Sequence, residues 1–586
     1  MSEYSFMTKR SGQKVATKRC AIIQQSPGKI KRAKKARPGR TWLLNGRREK
    51  RRFRFIGNPG VKISPSDPSS PLCVFKTFIT DTIIDNIVKC TNDYARKMLS
   101  HPTVQEQLAS NKHKLFYNWK EVNSDEIMTY FAVCLLMGII DKPTYQSYWT
   151  SDPFFQTPIF SRLISRKRFF QIRATIHFSE VNEPDTSDPL YKLCDFLEQL
   201  RCKFRDNYIP GLNISIDEYL ALWKGRLPFR VYIPSKRERY GIKIYMMCES
   251  SSAYLSEFII YVGSLTETDF PESSMPLPMK WEEYKSPSKI VLSLMQHYLN
   301  KGYCVTLDNY YNSPELATAL FHFDTDCYGT LRKKEDLPAD FWKWAPKKGD
   351  EPIRRFSDNT MVLRWSDESK LKSTKIVSML STVHVGEMVD THRMNRISQT
   401  PIRKPDVIAD YNTTMGGVDT LSRVLIPYSG QRKGCVKWYR KLAELLLDIA
   451  VFNSFVCWRK LNNLPKRGLK VSHLGFRKRL ITEMITMHAH GSGPPTGRTS
   501  DTLFRLTERH FCDLYPGKPG TIPEKKPQLP CRVCRCRYNK RKDTRYWCPD
   551  CKVGLCFPAC FKRYHTIKDY EKNDSDNDSD IDSQED

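Results

Sequence analysis

Ile214-Ser215-Ile216-Asp217-Glu218 opens a stretch, running to Phe258-Ile259-Ile260, whose reading decides the fold. It begins as a strand that carries a carboxylate. After Gly225-Arg226 come further β-branched and aromatic runs: Val231-Tyr232-Ile233, Ile242 to Met247 and Leu255 to Val262. Gly, Pro, Lys and Ser separate them, which predicts adjacent strands. Ile290 to Leu299 has apolar residues at 290, 291, 294, 295, 298 and 299, the spacing of a helix. Tyr303 to Leu307 is a strand that ends in Asp308-Asn309. A helix over Ser313 to Phe321 and a short strand over Cys327 to Leu331 follow. Strands, helix, strand with a terminal Asp, helix, strand is the order of a ribonuclease-H-like (RNase H-like) core, a mixed sheet with helices on its faces.

Such a core hosts two-metal phosphoryl transfer when carboxylates gather at strand ends. Asp217 and Asp308 are two candidates. Asp419, just past Gly416-Gly417 where a helix can begin, is the third. Hard Mg²⁺ ions need oxygen ligands, and two ions about 3.5–4 Å apart need a bridging carboxylate. An Asp at a strand end or helix start is by itself more often a turn or cap residue.

The charge narrows the partner. At 586 residues the chain holds several domains, and its net charge of +31 implies a polyanion, with nucleic acid first. Met1 to Arg10 has no apolar core of a signal peptide, and Tyr130 to Ile140 is too short to span a bilayer. Nineteen cysteines without a secretory signal argue for reduced thiols and metal ligands. Residues 1–71 read as a disordered basic arm. Between Lys29 and Arg54 it has thirteen Lys or Arg against one acid, Glu49, which suits nuclear import machinery or a non-specific DNA arm.

Residues 72–212 read as a helical bundle, with Ile84, Ile87, Val88, Thr91, Ala95 and Met98 on one helix face. Strand-like runs at 361–365 and 376–380 lie in an interruption over 335–396. Residues 429–507 return to helix, with a long amphipathic stripe from Lys437 to Leu461. After a linker over 508–530, a cysteine-rich segment over 531–570 carries Cys531-x-x-Cys534, Cys548-x-x-Cys551, Cys556, Cys560 and His565. Two such pairs followed by further Cys and His predict structural zinc, and the interleaved order suggests a cross-brace. Two closed sites need eight ligands and seven are clear. Either Cys536 is the eighth or one site is incomplete, so one or two zinc ions are expected. The tail, Glu571 to Asp586, has eight acids and one lysine and should be disordered, with Ser-Asp steps open to phosphorylation.

Three stretches resemble the catalytic motifs of piggyBac-like transposases: SIDEYLALWKGRLPFRVYIPSKRERYGIKIY with Asp217, LDNYYNS with Asp308, and DYNTTMGGVD with Asp419. Tyr240-Gly241-Ile242-Lys243, Gly329-Thr330-Leu331-Arg332 and Lys437-Trp438 add to the likeness, which runs from about residue 72 to about residue 570. The resemblance implies a nuclear, magnesium-dependent enzyme of cut-and-paste transposition with a TTAA target. It implies that water first nicks the transposon's 3′ end. The freed 3′-OH then attacks the opposite strand to leave a hairpin, which is opened before insertion. It also implies a split helical dimerisation and DNA-binding domain over 72–212 and 429–507, and hence a homodimer on double-stranded transposon ends. The catalytic core spans 213–334 and 397–428 around a β-rich insertion at 335–396, and the cysteine-rich domain recognises transposon-end DNA.

Several cations lie between the first two motifs: Arg230, Lys236, Arg237, Arg239 and Lys243. Placed near the carboxylates, they would hold scissile-strand phosphates. By resemblance Arg332 and Lys333 lie in a basic stretch that touches DNA, and Trp438 matches a DNA-contacting tryptophan, against the plain reading of a partly buried core residue. Where many relatives carry another Asp three residues after the third, this chain has Ser422. The intact aspartates favour an enzyme. Ser422 and the basic N-terminus favour a catalytically silent, transposon-derived nuclear DNA- or chromatin-binding protein. A ubiquitin ligase using the cross-brace as a RING is the weaker third reading, because a DNA role explains the charge as well.

Overall fold

The computed structural model describes residues 40–46, 49–110, 115–180, 187–234, 239–334, 336–347, 349–367, 375–394, 399–429, 437–465, 472–489, 510–516, 527–567 and 570–571. Residues 1–39 of the basic arm, Lys236, Arg237 and the tail beyond residue 571 lie outside them.

The first helical segment contains α1 (Asp81–Leu99), α2 (Ser124–Ile139), α3 (Arg166–Thr175) and α4 (Cys194–Asn207). Side-chain caps start three of them. Thr80 accepts the amide of Ile83, Asn123 that of Glu126 and Ser165 that of Arg168, each satisfying an N–H that the helix leaves open.

Then comes the sheet: β1 (Asn213–Leu222), β2 (Val231–Tyr232), β3 (Tyr240–Glu249) and β4 (Leu255–Ile260). Helix α5 (Ser286–Met295) leads to β5 (Cys304–Leu307), and α6 (Pro314–His322) to β6 (Asp326–Thr330). Three more strands follow, β7 (Ile353–Ser357), β8 (Thr360–Asp367) and β9 (Lys375–Ser381). The nine strands form one mixed sheet in the order β2-β3-β1-β5-β6-β9-β8-β7, with β4 paired to β3. At its centre β1, β5 and β6 are parallel, and β3 and β9 flank them antiparallel. Three strands of the 335–396 stretch, β7, β8 and β9, therefore extend the same sheet through the β6–β9 pairing, whereas Met388–Met394 pairs with Pro401–Pro405 in a sheet of its own.

Alternation along β1 assigns its two faces. Ile214 and Ile216 enter a core with Val305, Leu307 and the apolar sides of α5 and α6. Ser215 and Asp217 face the other way. That side is covered by α7 (Asp406–Thr414) and α8 (Gly417–Leu425). The chain then enters α9 (Trp438–Leu461) and α10 (His473–His488). Helix α9 is buried along most of its length, and α1, α2, α4, α9, α10, β3 and β4 share one apolar core. The two helical segments, far apart in the chain, thus close over one face of the sheet.

The arm differs from expectation. Residues 49–71 and part of 40–46 run along the sheet layer as a strap. Leu43 exchanges backbone hydrogen bonds with Phe356 (2.7 and 2.9 Å), and the amide of Ile56 donates to Lys301 O at 3.1 Å. Phe53 packs on Phe321 (ring centroids 4.8 Å) and Phe55 on Tyr303 (4.9 Å). Gly302 makes room. Its φ is +74°, and a Cβ there would stand 2.2 Å from Arg54 O. Aromatic anchors placed between the cations order what composition alone reads as unstructured.

Candidate active site and metal centres

The parallel β1–β5 register pairs Ile216 with Leu307, so Asp217, within β1, and Asp308, just past β5, lie side by side where the parallel pairing ends. Asp217 is held by the amide of Glu218, which donates to its Oδ1 at 2.8 Å. The hydroxyl of Thr330, on β6, donates to Asp308 Oδ1 at 3.0 Å. Asp419 comes from the first turn of α8, where a carboxylate suits the helix dipole.

Close packing brings α8 onto β1. A Cβ on Gly417 would stand 2.2 Å from Ser215 Oγ and 3.2 Å from Cys248 Cβ, so only glycine permits this approach. One turn earlier, Thr414 fastens α7 to the sheet. Its Oγ1 receives the Thr306 hydroxyl at 2.9 Å, lies 2.8 Å from Tyr328 Oη and donates to Asp410 O at 2.8 Å. Tyr411, on the same helix, senses all three aspartates. Burial first, and then the charges of Asp308, Asp217 and Asp419, push its phenol up to about 12. The three carboxylates therefore converge on one end of the sheet. They do not form a single tight cluster: among the described residues, the groups whose ligand atoms all lie within 4.8 Å of one another consist of Cys and His.

Among the candidate DNA-binding residues, Lys243 and Arg332 contact residues just after Asp308, and Arg230 and Arg239 flank the β2–β3 edge. Lys243 Nζ sits 4.7 Å from the ring centres of both Tyr245 and Tyr310, the latter two residues past Asp308. The guanidinium of Arg332 donates to Asn309 Oδ1, and Lys333 is exposed. Arg230 turns back on its own loop, donating to Lys224 O and Gly225 O with its guanidinium over Tyr240. Arg239 precedes β3 at the sheet edge, and its carbonyl oxygen accepts the amide of Ile233 at 2.8 Å. Trp438 is half-buried at the start of α9, edge-on to Phe229 at 5.3 Å. Ser422 lies one turn beyond Asp419 and lines a cavity with it, Glu218 and Lys441.

The cysteine-rich segment forms two sets of four. Cys531, Cys534, Cys556 and Cys560 make one, and His510, Cys548, Cys551 and His565 the other. In the first, Cys534 Sγ and Cys560 Sγ are 3.7 Å apart, close to the edge of about 3.8 Å that a tetrahedron with Zn–S near 2.3 Å requires. In the second, His510 Nδ1 lies 3.5 Å from Cys548 Sγ and 3.6 Å from Cys551 Sγ, and His565 Nε2 lies 3.6 Å from Cys551 Sγ. His565 Nδ1 is 2.8 Å from Phe561 O, a partner that would orient the ring with Nε2 free for metal. Both sets can hold zinc, and their order along the chain interleaves. The eighth residue of the two sets is His510, from the stretch expected to be linker. Cys536 belongs to neither set.

The family Transposase IS4 matches residues 70–455. The chain belongs to the piggyBac-like transposase family. Human PiggyBac transposable element-derived protein 3 is 23% identical over 508 residues, covering 85% of this chain and 76% of that protein. Human PiggyBac transposable element-derived protein 5 is 28% identical over 445 residues, 74% of this chain and 78% of that protein. Among solved structures, a piggyBac transposase synaptic complex with hairpin DNA matches with TM-score 0.60 and 23% identity, covering 86% of this chain and all of the other.

In this piggyBac-like chain, the sequence reading gave Thr330, Tyr411 and Thr414 no role at the site, and read Gly417 only as part of a helix start. All lie inside or beside the quoted motifs. Proximity to Asp308 and Asp419 in sequence was the available signal, but which neighbours turn toward the carboxylates depends on how α7 crosses the sheet.

Proposed function

We propose that this piggyBac-like chain cleaves and joins DNA strands in cut-and-paste transposition at TTAA targets, through an RNase H-like core in which Asp217, Asp308 and Asp419 hold two Mg²⁺ ions. The observation that carries this reading is the convergence of the three aspartates beside Tyr411. When bound, the ions supply a sharpened oxygen nucleophile and charge stabilisation of the leaving 3′ oxygen. The chain's own residues do the rest. Thr330 and the Glu218 amide orient two of the carboxylates, and Gly417 admits the helix that carries the third. Lys243, Arg332 and Lys333 offer cations for strand phosphates beside them, with Arg230 and Arg239 further along the sheet edge. Trp438 offers a ring for stacking at the start of α9. Two zinc ions in the cross-brace would fold the C-terminal module that reads transposon ends, and the working unit is a homodimer in the nucleus.

Single Asp→Asn changes at 217, 308 and 419 test this reading. Each removes a charged ligand while keeping its shape, so strand cleavage in Mg²⁺ should be lost while DNA affinity and thermal stability stay near wild type. A variant that still nicks at the wild-type rate removes that residue from the site. Ser422, beside Asp419 where many relatives carry a carboxylate, favours a second reading: a transposon-derived DNA-binding protein without catalysis. In that case wild type binds DNA but shows no Mg²⁺-dependent nicking, and the Asn variants match it.

A further inference from the structure

The strap reaches the same helix that leads to Asp419. Lys50 Nζ lies 3.6 Å from Asp406 Oδ2 and 3.9 Å from Asp410 Oδ2, and Arg52 Nη2 lies 3.5 Å from Asp410 Oδ2. Asp406 is fully buried. Its Oδ1 accepts the amides of Gly386 and Val407, but its Oδ2 accepts no hydrogen bond, and Lys50 is the cation that faces it among the described residues. Asp410 also meets the buried His384, Nε2 to Oδ2 2.9 Å, whose Nδ1 is 2.8 Å from Ser381 Oγ on β9. The His384 hydrogen bond first, then Lys50 and Arg52, hold the Asp410 carboxyl below its ordinary value. The strap backbone is tied down on both sides of these cations. Arg51 N donates to Val383 O at 3.2 Å, and Phe53 N to the buried Asp326 Oδ2 at 2.9 Å.

Asp406, Asp410 and Thr414, each one turn apart, follow one side of α7, where the first two meet the strap and Thr414 meets the sheet. Gly416-Gly417 and Asp419 follow directly. We propose that Lys50 and Arg52 are positioning residues for the catalytic centre. By pairing with Asp406 and Asp410, the strap holds α7, and through it Asp419, in register with Asp217 and Asp308. This rests on the reading of those three aspartates as the metal-binding set. It gives part of the basic arm a task apart from import or phosphate contact.

The test uses the full chain in four forms: wild type, K50M/R52M, the conservative K50R/R52K, and R51M/R54M. The last removes the same charge from the same segment without touching Asp406 or Asp410. Amide hydrogen exchange over residues 406–425, Mg²⁺ titration of strand cleavage and duplex affinity are measured for each. K50M/R52M should exchange faster across 406–425, raise the half-saturating Mg²⁺ several-fold and cut cleavage at limiting Mg²⁺ about tenfold. K50R/R52K and R51M/R54M should stay within about twofold of wild type in Mg²⁺ dependence. Unchanged exchange and Mg²⁺ dependence in K50M/R52M overturns the proposal. Equal losses in both methionine doubles, in step with DNA affinity, also overturn it and make the segment a phosphate-binding arm. If wild type cleaves no DNA, the catalytic reading fails, while the exchange measurement still decides whether the strap holds α7.

Discussion

Gly417 occupies a place where a side chain has no room, which sets it apart from an ordinary helical glycine. In a helix, alanine normally improves on glycine by about 1 kcal/mol. Here the added methyl meets Ser215 Oγ at 2.2 Å, and overpacking of this kind costs about 1–3 kcal/mol. Gly417→Ala should therefore lower the melting temperature, and Gly417→Ala with Ser215→Ala should recover part of the loss because the Oγ is gone. No recovery in the double variant would mean that Cys248, not Ser215, sets the approach. Glu257, on β4, makes a pH prediction. Burial raises its carboxyl from 4.5 to about 7, against the opposing pull of Arg201 and Arg205. A raised acid stabilises the fold through its neutral form. That contribution is complete below pH 4.5 and is lost as pH rises through 7. Glu257→Gln keeps the neutral shape, so its stability relative to wild type should improve by on the order of 1–3 kcal/mol between pH 4.5 and 8. Denaturant melts at the two pH values decide it. A difference independent of pH would mean that the two arginines keep the carboxylate charged throughout.

Among the elements, those whose signals are local could be read from sequence. The strands around Asp217 are β-branched and aromatic runs between turn residues. Ser313 caps α6 by accepting the Leu316 amide at 3.2 Å. Gly416-Gly417 marks the start of α8. What needed a distant partner was hidden. The runs at 361–365 and 376–380 read as strands, but Ile353–Ser357 did not, and the attachment to β6 depends on a pairing that no local pattern carries. His510 stands 21 residues before Cys531 in a stretch with no cysteine-pair signal, so the eighth ligand was sought at Cys536 instead. The zinc module makes the distinction measurable. His510→Ala should leave about one zinc per chain and loosen the Cys548–His565 set, while Cys536→Ser should keep two. Chelation of the full chain should release both ions and raise hydrogen exchange over 531–566, since few apolar residues support this segment without metal. Two ions bound in His510→Ala and one in Cys536→Ser would reverse the assignment.

On the scale of the whole molecule, the two helical segments, the sheet and the strap depend on one another, and the strap includes described arm residues from 40 onward. The arm's outer part, residues 1–39, contains eleven Lys or Arg and one acid, Glu3. Its inner part is the strap, which composition alone reads as disordered because Trp42, Phe53 and Phe55 are outnumbered by cations. Deleting residues 1–54 would remove two functions together, whereas deleting 1–39 removes charge and leaves the strap in place. If the outer arm binds phosphates without regard to sequence, the 1–39 deletion should weaken binding to any duplex about equally. It should also flatten the dependence of log affinity on log salt by about 0.9 for each phosphate that the arm no longer neutralises. Preference for a cognate end over a scrambled duplex should survive, because base readout would lie in folded domains. Affinity measured for both duplexes across a salt series separates the outcomes. An unchanged slope takes the outer arm off the DNA and leaves import as its use. A selective loss of cognate binding would put sequence recognition in the outer arm. Cleavage should persist in the 1–39 deletion at saturating DNA, because Lys50 and Arg52 still face Asp406 and Asp410.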